Sequence, residues 1–300
     1  MIDSALILIS ILFGLYGLAS AVECGLVLKM LVKDRPAKTM FTPLWEITNV
    51  LLVFGITALV MLFNNALKSL SHDLMAVLGI ALFTMLLRSC LVLSIFYIKD
   101  EPYLSRKLVL PLAASTFLVP LTFGAAGIFL LTGQMFWQTG PGLVCIALEA
   151  VSLPVLGLMI VGRERPQLSF ITQLLYMTWL LILGCILPLV VSRTLNYWQV
   201  GPLSVLGLLS LVGLLVALLN DDKSRHFKTW HYGVLVSLVT LPLLAWADRP
   251  YLISGKLTLT SAYGAQTYGS VVVLGLLITL PIILIGLYLF IKFYGLIGKD

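Results

Sequence analysis

Thr42-Pro43-Leu44-Trp45-Glu46-Ile47-Thr48-Asn49-Val50 opens a long apolar run and sets a carboxylate, an indole and an amide where a membrane helix ordinarily carries hydrocarbon. An ionisable group inside a membrane span costs roughly 2.5–3.5 kcal/mol on insertion scales, so Glu46 asks for a reason. Pro43 suits the first turn of a helix, because its missing N–H would be an orphan there in any case. The stretch predicts a second span that begins at Pro43, with Trp45 at the depth of an interfacial aromatic belt and Glu46 in the same turn.

The rest of the chain supports a membrane reading. Of 300 residues, 60% are hydrophobic and 11% charged, against roughly a quarter charged in soluble domains. Mean hydropathy is +1.07. Cutting at charged and Pro/Gly clusters leaves nine apolar segments, 5–30, 43–66, 73–98, 109–132, 140–162, 168–192, 200–219, 230–247 and 269–293. Each is about long enough to cross a ~30 Å hydrocarbon core as a helix. None shows the two-residue alternation of a membrane barrel strand. The expected fold is all-α, a polytopic integral membrane bundle of about nine transmembrane helices. It is expected to be one membrane domain over 1–300, with two approximate four-helix groups, 1–132 and 140–247, and a final helix at 269–293.

No basic leader or small-residue cleavage site precedes the first segment, so Met1-Ile2-Asp3 reads as the retained end of helix one. Connections after odd-numbered helices hold fourteen basic residues: Lys29, Lys33, Arg35, Lys38, Lys99, Arg106, Lys107, Arg163, Arg165, Lys223, Arg225, Lys228, Lys292 and Lys299. The other side holds four, Lys68, Arg193, Arg249 and Lys256. The positive-inside rule puts the N-terminus outside and the C-terminus in the cytoplasm. It also explains the net charge of +6 without an anionic partner such as nucleic acid.

Four ionisable residues are expected inside spans. Glu23, near the end of helix one, reads as pairing with Lys29 or leaning toward the interface, and it sits at similar depth to Glu46 on the neighbouring antiparallel helix. Arg88, about ten residues above the cytoplasmic boundary, should face the bundle and find a carboxylate, with Glu23, Glu46 and Glu149 as candidates. Glu149 falls near midplane and reads equally as an ion-pair partner or as a proton-carrying or ligand-facing group. Cys24, Cys90, Cys145 and Cys185 make no C-x-x-C spacing and read as buried thiols packed as small hydrophobes.

Other chemistry has no motif here. Haem in a membrane bundle needs axial ligands, most often His, within the spans. His72, His226 and His231 all fall at loops or helix ends. The chain carries no H-E-x-x-H, P-loop or dinucleotide fingerprint, so no metal site or catalytic centre of its own is expected.

The order of these signals resembles subunit II of cytochrome bd-type quinol oxidases. Gly17 to Leu31 is similar to the Gly- and acid-containing end of that family's first helix, and Pro43 to Asn49 resembles its Pro-x-Trp-Asp-Gly-Asn opening of helix two. Arg88 falls where the family carries an arginine late in helix three. The run from Leu257 through Tyr263, Tyr268 and Pro281 to Tyr294 resembles its last outer loop and ninth helix. Glu46 replaces the family's aspartate, Ile47 its glycine, and the asparagine is shifted to Asn49.

The resemblance implies a haem-free second subunit in a prokaryotic cytoplasmic membrane, with the haems in the partner, subunit I. The chain would stabilise that partner and contribute a cytoplasmic proton path, for which the resemblance carries over Trp45, Glu46, Glu23 and Arg88; Glu149, from its own place near midplane, is a further candidate station, and Asn49 a supporting residue. Membrane lipids and a small accessory subunit are further expected contacts, and a structural quinone is a candidate ligand. Two other classes stay open from the residues alone. One is a secondary transporter with intramembrane carboxylates and Pro-broken helices; the other is a quinol-binding membrane anchor of a respiratory reductase.

Overall fold

The structure is a computed structural model that describes residues 2–31, 35–98, 106–161, 242, 251–253, 255–265 and 268–293. The spans expected at 168–192, 200–219 and 230–247, with Cys185, His226 and His231, lie outside the described residues.

Helices follow the apolar segments closely. They are α1 (Ile2–Leu31), α2 (Arg35–Leu62), α3 (Leu67–Leu93, continued by a π-helical turn, Ser94–Ile98), α4 (Arg106–Thr132) and α5 (Gly140–Val161). After the undescribed region come a two-stranded antiparallel hairpin, β1 (Tyr251–Ile253) and β2 (Leu257–Thr258), a single turn α6 (Leu259–Ala262) and the long α7 (Gly269–Phe293). Five described helices are long and apolar enough to cross a membrane: Ile2–Leu31, Phe41–Leu62, His72–Phe96, Leu108–Thr132 and Gly269–Gly286. Gly142–Leu158 in α5 is a shorter apolar helix.

One boundary differs from the sequence reading. α2 begins at Arg35 rather than Pro43, so Pro43 stands inside the helix and Glu46 lies about three turns in. The segment before Pro43 includes the strong helix formers Ala37, Lys38 and Met40, and these sustain helix outside the apolar run. Pro43 then withholds one N–H from the Thr39 carbonyl.

α1 is the central element. It packs against α2, α4 and α5, and against α7, and nearly every turn of it is buried. α3 packs on α4, and α7 on α2. Lys29 Nζ, near the end of α1, donates to the carbonyl of Val161 at the end of α5, so these two helices finish together. They meet most closely at Gly25 and Gly157: a Cβ on Gly25 would strike the Gly157 backbone, and one on Gly157 would strike the Ala21 carbonyl. Ala21 and Gly25 supply the small-x-x-x-small spacing that lets membrane helices approach to backbone contact.

The opposite end is capped by the connection before α7. Gly264 N donates to Leu62 O at 3.2 Å, Asn64 Nδ2 to Tyr268 Oη at 3.2 Å, and Asn65 Nδ2 to Ser261 O at 3.3 Å. Leu252, Ile253, Leu259, Ala262, Tyr263 and Ala265 are buried, and the Tyr263 ring meets Phe63 edge-on at 5.9 Å. Lys256 reaches Asp73 at 3.1 Å and stands 4.9 Å over the Phe129 ring. These contacts gather the end of α2, the start of α3, the end of α4 and the start of α7 at one side. The ends of α1 and α5 lie at the opposite side.

Candidate functional site

The site is built on one face of α1. Tyr16, Ser20 and Glu23 recur at the i, i+4, i+7 spacing that keeps side chains on a common helical face, and all three are buried. From α3, Arg88 enters the same seam, 1% exposed, and donates from Nη1 to Glu23 Oε2 at 2.9 Å. Its Nη2 donates to Asn49 Oδ1 of α2 at 2.8 Å. The guanidinium thus ties α1, α2 and α3 together. Glu23 stands eight residues before the end of α1, about 12 Å of helix rise, so the pair is set in from the helix end.

A buried pair of this kind is only weak evidence of net stability, because both ions lose their water. Its firmer consequence is geometric. With charges mutually compensated, neither can be removed alone without leaving the other stranded, and three helices are held in one rotational setting.

Among the three acids expected as partners for Arg88, the structure selects Glu23. Lys29 is used elsewhere, on the Val161 carbonyl, so the reading in which Glu23 pairs with Lys29 at the interface is replaced by a fully buried Glu23 on Arg88. Glu46 faces out of the bundle on a stripe with Val50, Val53, Thr57 and Met61, away from the buried stripe Leu44, Thr48, Leu51, Leu52 and Ala58. Glu46 and Glu23 therefore occupy different faces. Glu149 is partly buried on α5 and lies against Gly124 of α4, where a Cβ would overlap its carboxylate. Trp45 is half-buried, and its buried Nε1 has no hydrogen-bond partner among the described residues.

Several contributing residues carried no signal strong enough to single out in the sequence. Thr48 is fully buried beside Asn49 and turns its hydroxyl to Leu44 O at 2.9 Å. Cys24 directs its Sγ toward Thr116 O at 3.8 Å. That carbonyl is available because Pro120, four residues on, has no N–H to offer it. The pairing of a span proline with a donor on a neighbouring helix could have pointed to this contact. Of the cysteines, Cys24 is buried, Cys145 half-buried and Cys90 exposed on α3, so the expected burial fails at Cys90, which sits on the outward stripe of that helix.

Among the described residues no group of three His, Cys, Asp or Glu side chains converges as a metal site. His72, the one described histidine, is exposed at the start of α3 beside Asp73. The arrangement is suited to holding charge and protons inside a helix bundle.

A sequence model of the cytochrome bd terminal oxidase subunit II family matches residues 1–294. The chain belongs to that family. No curated protein matches its sequence significantly. Among solved structures, a chain of the bd oxidase from Geobacillus thermodenitrificans superposes with a TM-score of 0.73 at 16% identity, over 96% of each chain. That likeness shows the fold. The family places this chain in a cytochrome bd quinol oxidase of the respiratory chain, as a multi-pass membrane protein with a partnering subunit I.

Proposed function

We propose that this chain is the haem-free second subunit of a bd-type quinol:oxygen oxidoreductase in a prokaryotic cytoplasmic membrane, where it stabilises the haem-bearing subunit and delivers protons from the cytoplasm. The observation that carries the proton role is the buried Glu23–Arg88–Asn49 cluster, set toward the Lys/Arg-rich end of a chain from this family. Haems, when bound in the partner, supply the oxygen chemistry, which consumes protons. This chain's own residues hold and move them. Glu46 offers a carboxylate on the outward face of α2, Glu23 one inside the bundle, and Glu149 one farther toward midplane. A carboxylate removed from water takes up a proton more readily, which lets it carry one without lasting charge in the membrane.

The scaffold role is supported by the outward faces of α3 and α7. Leu82, Phe83 and Leu86 line one, and Val271, Leu274, Ile278 and Ile282 the other, all exposed. Contiguous apolar surface of this kind needs lipid or another membrane protein against it.

The complex purified through a tag on this chain should show a chlorin-like band at long wavelength in its visible spectrum. The same chain produced without its partner should take up no haem. A complex lacking the band, or haem bound to the chain alone, would overturn the assignment. For the proton role, Glu46→Gln keeps size and hydrogen bonding but cannot titrate. Wild-type turnover and proton uptake in that variant would remove Glu46 from the path.

A further inference from the structure

Among the described residues, five buried polar atoms in the seam of α1, α3 and α4 make no hydrogen bond of normal geometry: Tyr16 Oη, Ser20 Oγ, Glu23 Oε1, Arg88 Nε and Thr116 Oγ1. Each residue is at most 4% exposed. Buried polar groups are almost always hydrogen-bonded, and where protein supplies no partner an ordered water making about three bonds commonly does. One orphan would be unremarkable, but these five share a place.

Tyr16, Ser20 and Glu23 lie along one face of α1. Thr116 stands opposite, fixed there by its carbonyl's contact with Cys24. Tyr16 lies one turn back from Ser20 and two turns back from Glu23 on this face. On its other side the Tyr16 ring meets Phe123 edge-on, with centroids 5.8 Å apart, and Phe123 adjoins Gly124, on which the Glu149 carboxylate lies. The Gly25–Gly157 crossing sets the level between α1 and α5, which run the same way. Tyr16 is nine residues back from Gly25 and Glu149 eight back from Gly157, so they stand within about one residue's rise of ~1.5 Å along the bundle.

We propose that Tyr16, Ser20 and Thr116, with ordered water between them, form a proton wire joining the Glu23–Arg88 pair to Glu149. The wire rests on the proton-delivery reading and gives it an internal course. A proton arriving beside Glu23 is accepted by one oxygen as that oxygen releases another to the next. The last O–H bond to form is on the Glu149 carboxylate, which becomes a carboxylic acid. Every hydroxyl and water ends with as many protons as it began, so no co-reactant is needed. Glycine at position 124 leaves the room on α4 that the Glu149 carboxylate occupies.

The test uses the intact complex with its partner subunit. Tyr16→Phe keeps the ring against Phe123 and removes one oxygen. It should lower turnover and proton uptake roughly tenfold, less than the loss of a positioned proton-transfer group because water can occupy the gap, and should raise the solvent deuterium isotope effect while haem content stays at wild type. Glu149→Gln should do the same, and the double variant should be no slower than either, since both interrupt one route. Wild-type turnover and isotope effect in Tyr16→Phe, with Glu149→Gln or Glu46→Gln slow, would overturn the wire and leave proton delivery standing. Wild-type behaviour in all three would overturn both. Two measurements hold even if a variant fails to assemble. A structure of the complex resolving water should show density touching Tyr16 Oη and Thr116 Oγ1, and dry packing there would refute the wire. Thr116→Val should destabilise the complex if the hydroxyl is bonded to water; an unchanged or more stable complex would refute it.

Discussion

Removing Arg88 is the sharpest test of the packing described above. Arg88→Met keeps the length of the side chain and leaves Glu23, 0% exposed, without its cation. The cheapest escape for a stranded carboxylate at pH 7 is to take up a proton. Against an ordinary Glu pKa of about 4.3 that costs 2.3RT for each of about 2.7 pH units, or about 3.7 kcal/mol. Asn49 Oδ1 also loses its donor, adding about 1 kcal/mol. The sum agrees with the 3–5 kcal/mol typical when one partner of a buried pair is removed. The folded variant then binds one more proton than the unfolded chain, so its stability falls as pH rises above about 4.3, by about 1.4 kcal/mol per unit, and recovers toward acid. Glu23→Gln behaves differently. Arg88 cannot shed its charge, so that deficit should not vary with pH. Glu23→Gln combined with Arg88→Met removes both charges and should restore most of the loss, giving a coupling of at least about 3 kcal/mol. Unfolding of the purified complex in graded denaturing detergent, followed by tryptophan fluorescence at about pH 6 and about pH 8, should separate the two single variants by about 2.7 kcal/mol in their pH response. If Arg88→Met is as stable as the parent, or its deficit is the same at both pH values, the buried-pair argument is wrong.

Two further outcomes follow from the packing. Gly157→Val should force α5 away from Ala21 and Gly25 of α1 and cost at least about 1–3 kcal/mol, the usual penalty of overpacking, seen in the same unfolding assay; an unaffected variant would mean the helices do not cross there. Lys256→Ala removes the half-exposed link from the β1–β2 hairpin to Asp73 and should change stability by no more than about 1 kcal/mol. Because that link is exposed, the small effect should vanish as salt is raised, and a large salt-independent loss would place Lys256 in a desolvated site.

Helix limits were legible wherever hydrocarbon gives way to charge or to Pro and Gly. α5 and α7 begin where the sequence places them, at Gly140 and Gly269. The start of α2 was not, because its first two turns lie outside the apolar run and only local propensity marks them. That Arg88 must face inward follows from the cost of its charge; which acid it meets does not. Rotation of a helix about its axis is set by packing, and helices apolar all round give little moment to read. Glu46 and Glu23 therefore looked alike in sequence, although one lies on the outward Val50–Val53 stripe and the other inside the seam. The hydroxyls of Tyr16 and Ser20 share a face with Glu23 at helical spacing, a pattern that is readable but common. Thr116 becomes visible only through the carbonyl that Pro120 sets free.

The distance along the chain between Glu23 and Arg88, 65 residues, also has a consequence in time. At roughly 5–20 residues per second of synthesis, the arginine emerges about 3–13 s after the glutamate. The first helix, which ends up enclosed by its neighbours, must enter the bilayer during that interval with its acid still alone. The early product is therefore a poorly anchored helix waiting for the arginine of α3. A ribosome stalled between positions 31 and 88 would leave a nascent chain whose first span slips back from the membrane more readily than one released after Arg88 has been made.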